Sequence, residues 1–426
     1  MMNKQSLKQV LFEQKEEAQG ILKEKIVPRE AGACKDDFVR SNLIKVMMGV
    51  RRSGKSTLAH DWLKGRSYGY VNFDDERLLG ARASDLNDIL EILHEISNDC
   101  QYLLFDEIQN VDGWELFVNR LKRNGYNVVV TGSNSRLLSK ELATHLTGRH
   151  LSIELYPFSF AEYLALNQHV ISNEKRLYST REKSALKKWL QQYLQTGGFP
   201  EAGKMALGTR YLQELYDKII TRDIIWRYNI KYVRDLKEIA LFAISNFSSR
   251  ASYHKIRNIF EIKSVHTVKN YLHYLEEAYL LFQLNSFSFK LKEQIRMPRK
   301  LYCIDTGMIH AVVPKTSFDF GRIIENAVFL ELKRRGQQVF FYSGLNYEVD
   351  FLIKKGLKIE RLIQVSYSIE DKDTWNREYR ALLKASKELG CRDLMIITWD
   401  EEFEEKVNSL LKIKCVPLWK WLVEKI

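Results

Sequence analysis

Residues 49–56 read Gly49, Val50, Arg51, Arg52, Ser53, Gly54, Lys55, Ser56, a full match to the phosphate-binding pattern G-x-x-x-x-G-K-[ST]. Gly49 and Gly54 permit backbone angles that turn successive N–H groups inward onto a phosphate, and the helix that follows presents its positive end. Lys55 is expected to reach the β and γ phosphates of ATP, and the Ser56 hydroxyl to hold Mg²⁺. Gly49, Arg51, Arg52, Ser53, Gly54, Lys55, Ser56 and Thr57 therefore form the expected nucleotide loop.

The apolar run Tyr102, Leu103, Leu104, Phe105 ends in Asp106 and Glu107. Asp106 is suited to hold Mg²⁺ through water, and Glu107 to polarise the attacking water. Two acids after a strand are, singly, ordinary turn residues; beside a phosphate loop they form a set. The run 128–130 leads into Thr131, Gly132, Ser133 and Asn134. Asn134 or Ser133 can orient that water, or either can serve as a helix cap. Arg149, following Gly148, reads in two ways: as an arginine complementing a helix end, or as a finger entering the transition state from a neighbouring subunit, with Arg136 second.

These residues need elements to hold them. From Asn42 to about residue 156, short apolar runs alternate with helical patterns, which predicts a parallel sheet with helices on both faces. The loop falls at the first strand-to-helix junction, as its chemistry demands. The chain has 426 residues, 45% of them hydrophobic and 28% charged, so several globular domains are expected rather than disorder or collagen-like repeats. No apolar stretch approaches the roughly 20 residues of a membrane span, and the polar N-terminus does not read as an export signal, so no membrane partner and a cytoplasmic location are expected. The five cysteines lie far apart without a Cys-x-x-Cys pair, which argues against zinc knuckles and disulfide frameworks. A surplus of 66 Lys and Arg over 54 Asp and Glu fits a polyanionic partner or a merely basic surface.

Taken in series, GVRRSGKS, YLLFDEIQNV, TGSNS, LTGR, LYPFSFAEYL and TGGFPE resemble the prokaryotic AAA-type ATPases that carry a tail called domain of unknown function 4143. The resemblance covers nearly the whole chain. It implies an α/β P-loop NTPase core of AAA type, a helical lid, a winged helix and a C-terminal restriction-endonuclease-like α/β domain. On this reading 1–40 is an N-terminal helical segment, 41–170 the ATPase core, 171–232 the lid, 233–320 the winged helix and 321–426 the nuclease-like domain. Arg222 is either a lid sensor or a surface partner of Asp223.

The residues themselves support the winged helix. Three short helical patterns run from Asp235 to Glu277, followed by a stretch 278–289 read as a strand pair. The third helix starts at Ser264, buries Val265, Val268, Leu272 and Leu275, and presents His266, Thr267, Lys269, Asn270 and His273, types suited to a DNA groove. Residues 251–300 hold nine Lys or Arg against four Glu, which fits phosphate contact. Protein docking is the rival use of such a module.

In the resembled nuclease-like fold, acids hold a divalent metal and a lysine activates water. Glu325, Glu348 and Asp350 match the acids, but the third position reads Gln364, Val365, Ser366 and lacks the lysine; Lys354 and Lys355 lie on the neighbouring hairpin, and their reaching in to compensate is the lesser reading. The expectation is a degenerate site, with Asp350 a buried acid in a hydrogen-bond network. The combined expectation is an Mg²⁺-dependent, ATP-hydrolysing AAA-type homo-oligomer, ring-shaped on one reading, that couples nucleotide state to a double-stranded DNA-binding winged helix and nuclease-like tail. The alternatives are a nucleotide-gated switch or scaffold on a protein partner, and an ATP-regulated DNA nuclease.

Overall fold

The computed structural model describes residues 3–23, 25–97, 100–134, 148–169, 179–314, 319–409 and 411–424. The chain divides into two compact units, Met1–Tyr156 and Pro157–Ile426.

The first unit contains α1 (Lys4–Lys23), α2 (Lys35–Arg40), β1 (Ile44–Met48), α3 (Lys55–Leu63), β2 (Tyr68–Asn72), α4 (Leu86–Ser97), β3 (Tyr102–Asp106), α5 (Trp114–Arg123), β4 (Asn127–Gly132) and β5 (His150–Glu154). The five strands are parallel in the order β2-β3-β4-β1-β5. Both faces are covered, so the central strands are apolar on both sides, as a doubly covered parallel sheet requires. Met47, Tyr70, Leu104 and Val129 pack with Ala18, Phe38, Leu58 and Trp62 of the first three helices. On the other face Phe105 meets Phe117 of α5 with ring centroids 5.9 Å apart. The N-terminal segment belongs to this unit. Leu7, Val10, Leu11 and Ala18 of α1 are buried, and Gln14 bonds both backbone polar groups of Asn72, accepting from its N–H at 2.9 Å and donating to its carbonyl at 3.1 Å.

The second unit opens with α6 (Phe160–Leu166), α7 (Thr180–Thr196) and α8 (Gly208–Lys218), which runs on into a π-helix (Ile219–Trp226). Next come α9 (Val233–Ser245), β6 (Ser249–Ala251), α10 (Tyr253–Ile259), α11 (Val265–Glu277), β7 (Leu281–Leu284), α12 (Leu291–Arg296), β8 (Arg299–Cys303) and α13 (Thr306–Val312). The tail holds α14 (Phe320–Arg334), β9 (Gln338–Gly344), β10 (Tyr347–Lys355), β11 (Lys358–Val365), α15 (Lys372–Leu389), β12 (Asp393–Thr398), β13 (Phe403–Lys406), β14 (Lys412–Pro417) and α16 (Leu418–Val423). Its mixed six-stranded sheet runs β13-β14-β12-β11-β10-β9.

Two expectations for the middle segment change. Within 278–289 a single strand, β7, forms, and its antiparallel partner is β8, beyond α12; β6 completes a three-stranded sheet in the order β6-β8-β7. On α11, Val268, Leu272 and Leu275 are buried with Tyr271, while Val265 in the first turn is only half-buried. The break at 197–198 is a close approach. A Cβ on Gly197 would stand 2.0 Å from Asp305 Oδ1, and one on Gly198 2.3 Å from the Phe158 carbonyl oxygen.

Candidate functional site

The loop sits at the C-terminal tip of β1, and each glycine there is required. Gly49 has φ +146°, and a Cβ would lie 1.9 Å from the Leu155 carbonyl oxygen; Gly54 caps α3 with φ +92°. Lys55 is buried, with Nζ donating to the Val50 carbonyl at 3.1 Å and lying 3.7 Å from Glu107 Oε1. Arg51 is buried and donates to Asp74 Oδ2 at 2.9 Å, whereas Arg52 is exposed at φ +66°. Ser53 is buried and, among the described residues, its Oγ has no hydrogen-bond partner; Thr57 is half-buried in the first turn of α3. An inward hydroxyl without a protein partner in a loop of this shape fits a phosphate oxygen.

Ser56 Oγ donates to Asp106 Oδ2 at 2.6 Å. This hydroxyl and carboxylate are a hard-oxygen pair of the kind Mg²⁺ takes, so the residues fit the ion that the sequence implies. The tip of β4, between β1 and β3, organises both acids. Thr131 Oγ1 donates to Asp106 Oδ1 and accepts from the Glu107 N–H at 3.3 Å. Ser133 donates to Glu107 Oε2 from Oγ at 2.8 Å and from its N–H at 3.2 Å, and Gln109 Nε2 donates to the same oxygen. Glu107 has φ +52°, uncommon for a residue with a side chain. Burial pushes its carboxyl up, but the charges of Lys55 and Arg51 and the bonds from Ser133 and Gln109 outweigh burial and hold it at about 2. Asp106 moves the other way, raised by burial and then by the charge of Glu107. The two acids are thereby pushed in opposite directions, Glu107 toward the ionised form and Asp106 away from it.

Residues 41–164 match the family described as AAA domain, and residues 187–319 match the family described as domain of unknown function DUF8612. "Uncharacterized protein MJ1544" of Methanocaldococcus jannaschii is 41% identical over 399 residues, covering 89% of this chain and 88% of that protein. An "Uncharacterized protein" of Haemophilus influenzae is 32% identical over 350 residues, covering 78% of this chain and 85% of its own length. The chain belongs to this family of AAA-domain proteins. Among solved structures, "the walker-type atpase paby2304 of pyrococcus abyssi" aligns with 68% of this chain and 97% of its own at TM-score 0.45 and 15% identity. The family matched by 187–319 differs from the domain of unknown function 4143 that the sequence resemblance named.

Other predicted residues of this AAA-domain protein fall apart or together as follows. Asn134 is buried just past β4. Arg136 lies outside the described residues, and the Arg222 side chain is half-buried in the π-helix. Arg149 is exposed, and its carbonyl accepts from the Ile44 N–H at 2.9 Å, which puts it beside the start of β1. Four strand steps of roughly 3.3 Å, about 13 Å, separate that end of β1 from the loop at its other end. Both readings of Arg149, as an arginine at a helix end and as a finger from a neighbouring subunit, are compatible with that position.

Sequence reading missed Arg29. From the segment before α2 it donates to the Ser53 carbonyl at 2.8 Å and to the Tyr156 carbonyl at 2.6 Å, tying the loop to the strand exit beside it. Nothing in the text marks Arg29, which precedes the motif by 20 residues. Thr131 was visible only as part of a strand end.

In the second unit, Ser264 caps α11 by accepting from the His266 N–H at 3.1 Å. His266, Lys269 and His273 are exposed, and Thr267 and Asn270 half-buried. Lys269 Nζ and Arg299 Cζ lie 5.4 and 5.7 Å from the centroid of the Tyr253 ring, adding an aromatic to this basic face. In the tail, Glu325, Glu348 and Asp350 do come together, around a cation that the sequence reading did not consider. Lys300 Nζ of β8 lies 2.9, 2.6 and 2.9 Å from their carboxylate oxygens. Lys354 and Lys355, which the sequence offered only as a lesser alternative to a degenerate site, stand at the hairpin end of β10, paired with Ile359 and Lys358. Gln364 bonds Asp350, Glu348 and Glu378. Burial pushes Glu325 up to about 7, with Asp350 adding to the rise and Lys300 opposing it.

Proposed function

We propose that this AAA-domain protein binds and hydrolyses ATP with Mg²⁺ and passes its nucleotide state to a DNA-contacting second unit. The observation that carries the reading is the convergence of Lys55, Ser56, Asp106 and Glu107 at the tips of β1 and β3. Mg²⁺, held by Ser56 and Asp106, would supply charge neutralisation at the phosphates. Backbone N–H groups of the loop and the Lys55 ammonium bind the β and γ phosphates, and Arg51 adds positive charge beside them. Glu107 accepts a hydrogen bond from the attacking water and takes its proton as the water oxygen bonds to the γ phosphorus and the bond from that phosphorus to the bridging oxygen breaks, releasing ADP and phosphate. Ser133 holds the Glu107 carboxylate in orientation, with Asn134 beside it. Arg149 of a second copy is the proposed finger, which requires a homo-oligomer. His266, Thr267, Lys269, Asn270 and His273 form the proposed nucleic-acid face, supported by the flanking Tyr253 and Arg299.

Calorimetry and phosphate release test this directly. Lys55→Ala should abolish heat on titration with Mg²⁺ and ATP, and Glu107→Gln should keep the heat and lose turnover. Unchanged hydrolysis in both variants rejects the site. Duplex DNA affinity that falls steeply with salt supports the DNA arm, and flat or absent binding rejects it. A second reading, a nucleotide-gated scaffold on a protein partner, is favoured by one observation: Phe289, Leu291 and Ile295 are exposed at 78%, 69% and 63% around α12.

A further inference from the structure

We propose that the Lys300 ammonium is the resident cation of the tail's carboxylate cluster, standing where the restriction-endonuclease-like resemblance implies a divalent metal, and that the cluster serves as a joint fastening the three-stranded sheet to the tail. The cluster lies wholly within the second unit, and the geometry leaves no room for both cations. A hard divalent ion needs its oxygens at roughly 2.0–2.6 Å from a common centre. Lys300 Nζ already occupies that centre, 2.9 Å from Glu325 Oε1, 2.6 Å from Glu348 Oε1 and 2.9 Å from Asp350 Oδ1, with its side chain 4% exposed. A dication placed beside it would meet a buried like charge.

The remaining ligand positions are also consumed. Gln364 Oε1 accepts from the Asp350 N–H at 2.8 Å, so the carbonyl that could have faced a metal is engaged. Its Nε2 donates to the Glu348 carbonyl at 2.9 Å and to Glu378 Oε2 at 2.6 Å. Asp350 Oδ2 accepts from the Val365 N–H at 3.0 Å, and Ser366 Oγ turns to the Ser368 carbonyl at 2.9 Å. Among the described residues, no group of three or more His, Cys, Asp and Glu is arranged to hold a metal ion.

The same contacts explain what the cluster does instead. Lys300 is on β8, the central strand of the small sheet, and Arg250 on its neighbour β6 pairs with Glu348 and donates to Ser343 Oγ at 2.9 Å. Tyr302 OH donates to Glu325 Oε1 at 2.7 Å, and its ring stacks on Phe329 of α14 at 4.1 Å. Asn326 of α14 bonds both backbone polar groups of Cys303, at 2.8 and 3.0 Å. Acids from α14 and β10 thus receive cations from β8 and β6, and the charge that would have held metal holds two layers together.

Mn²⁺ electron paramagnetic resonance on the full nucleotide-free chain tests the proposal. Native protein and Asp350→Asn should bind Mn²⁺ identically, because the loop contribution cancels and the tail contributes none. Lys300→Met, which removes the ammonium at similar length, should gain an Mn²⁺ site that disappears again in Lys300→Met with Asp350→Asn. Native binding that Asp350→Asn removes would overturn the proposal, and so would a folded Lys300→Met protein without a new site. Should Lys300→Met fail to fold, the comparison of native protein with Asp350→Asn still decides between a metal and a lysine.

Discussion

Lys55 Nζ stands 3.7 Å from Glu107 Oε1, both side chains nearly buried, so the proposed phosphate-binding cation and the proposed general base neutralise each other. The pairing makes Glu107 a poor proton acceptor at about 2, a value that depends on Lys55 being near. On the proposed function, a γ phosphate would compete for the same ammonium. Drawing Lys55 away would remove the largest interaction lowering the Glu107 carboxyl, so on the proposed function ATP binding would itself raise the basicity of the proposed base.

Glu107→Gln should therefore bind ATP at least as tightly as native protein, because Lys55 no longer has a carboxylate to leave, while kcat falls by about 10²–10⁴. Calorimetric Kd and steady-state phosphate release, measured on the same preparation, check both halves. Weakened binding with normal turnover would remove the competition argument.

Thr131 bridges the acids, donating to Asp106 and accepting from the Glu107 N–H at 3.3 Å. Thr131→Val keeps the shape and deletes both bonds, leaving a buried N–H and a carboxylate oxygen unpaired. A loss of roughly 1–3 kcal/mol in denaturant stability is expected. Turnover should fall while the Kd for ATP changes little, since the loop and Lys55 are untouched. A Kd change larger than the kcat change would assign Thr131 to binding instead.

The first half of the candidate site was legible because each of its pieces is contiguous: eight loop residues follow one another at the tip of β1, and two adjacent acids end β3. Its supports were not. Arg29 reaches the Tyr156 carbonyl across 127 positions, and Lys300 reaches Asp350 across 50, pairings that no local pattern encodes. The parallel sheet could be read from uninterrupted apolar runs. The small sheet could not, because β8 reads Arg299, Lys300, Leu301, Tyr302, Cys303, two charges that look like a solvated loop until the acids beneath Lys300 are known.

Arg29 gives a test of loop support. Its two charge-assisted bonds end on the backbone carbonyls of Ser53 and Tyr156, at 2.8 and 2.6 Å. Arg29→Met preserves length and apolar packing but strips both donors. ATP affinity should drop by about tenfold, the equivalent of roughly 1.4 kcal/mol, with a lowered Tm. Arg29→Lys should restore only part of it, since one ammonium cannot reproduce the planar fork. Equal affinity in all three proteins would show that the loop holds its shape unaided.

Asp305 supplies a pH dependence whose sign can be worked out. It accepts from the Gly198 N–H at 2.7 Å and the Met308 N–H at 2.9 Å, bonds that favour the charged form. Burial outweighs them and raises its carboxyl from 3.8 to about 6. Between those values the folded chain holds a proton that the unfolded chain has lost, so folding stability from this group is full below about 3.8 and is lost as pH rises toward 6. At 1.36 kcal/mol per unit, the swing is on the order of 3 kcal/mol. Asp305→Asn cannot titrate, and its amide would face the Gly198 N–H, so the variant is less stable than native protein at low pH. Its deficit relative to native protein should be largest near pH 4 and shrink toward pH 7. Paired urea unfolding curves at those two pH values measure the difference; a deficit that grows with pH would mean that the two N–H donors, rather than burial, control the Asp305 carboxyl.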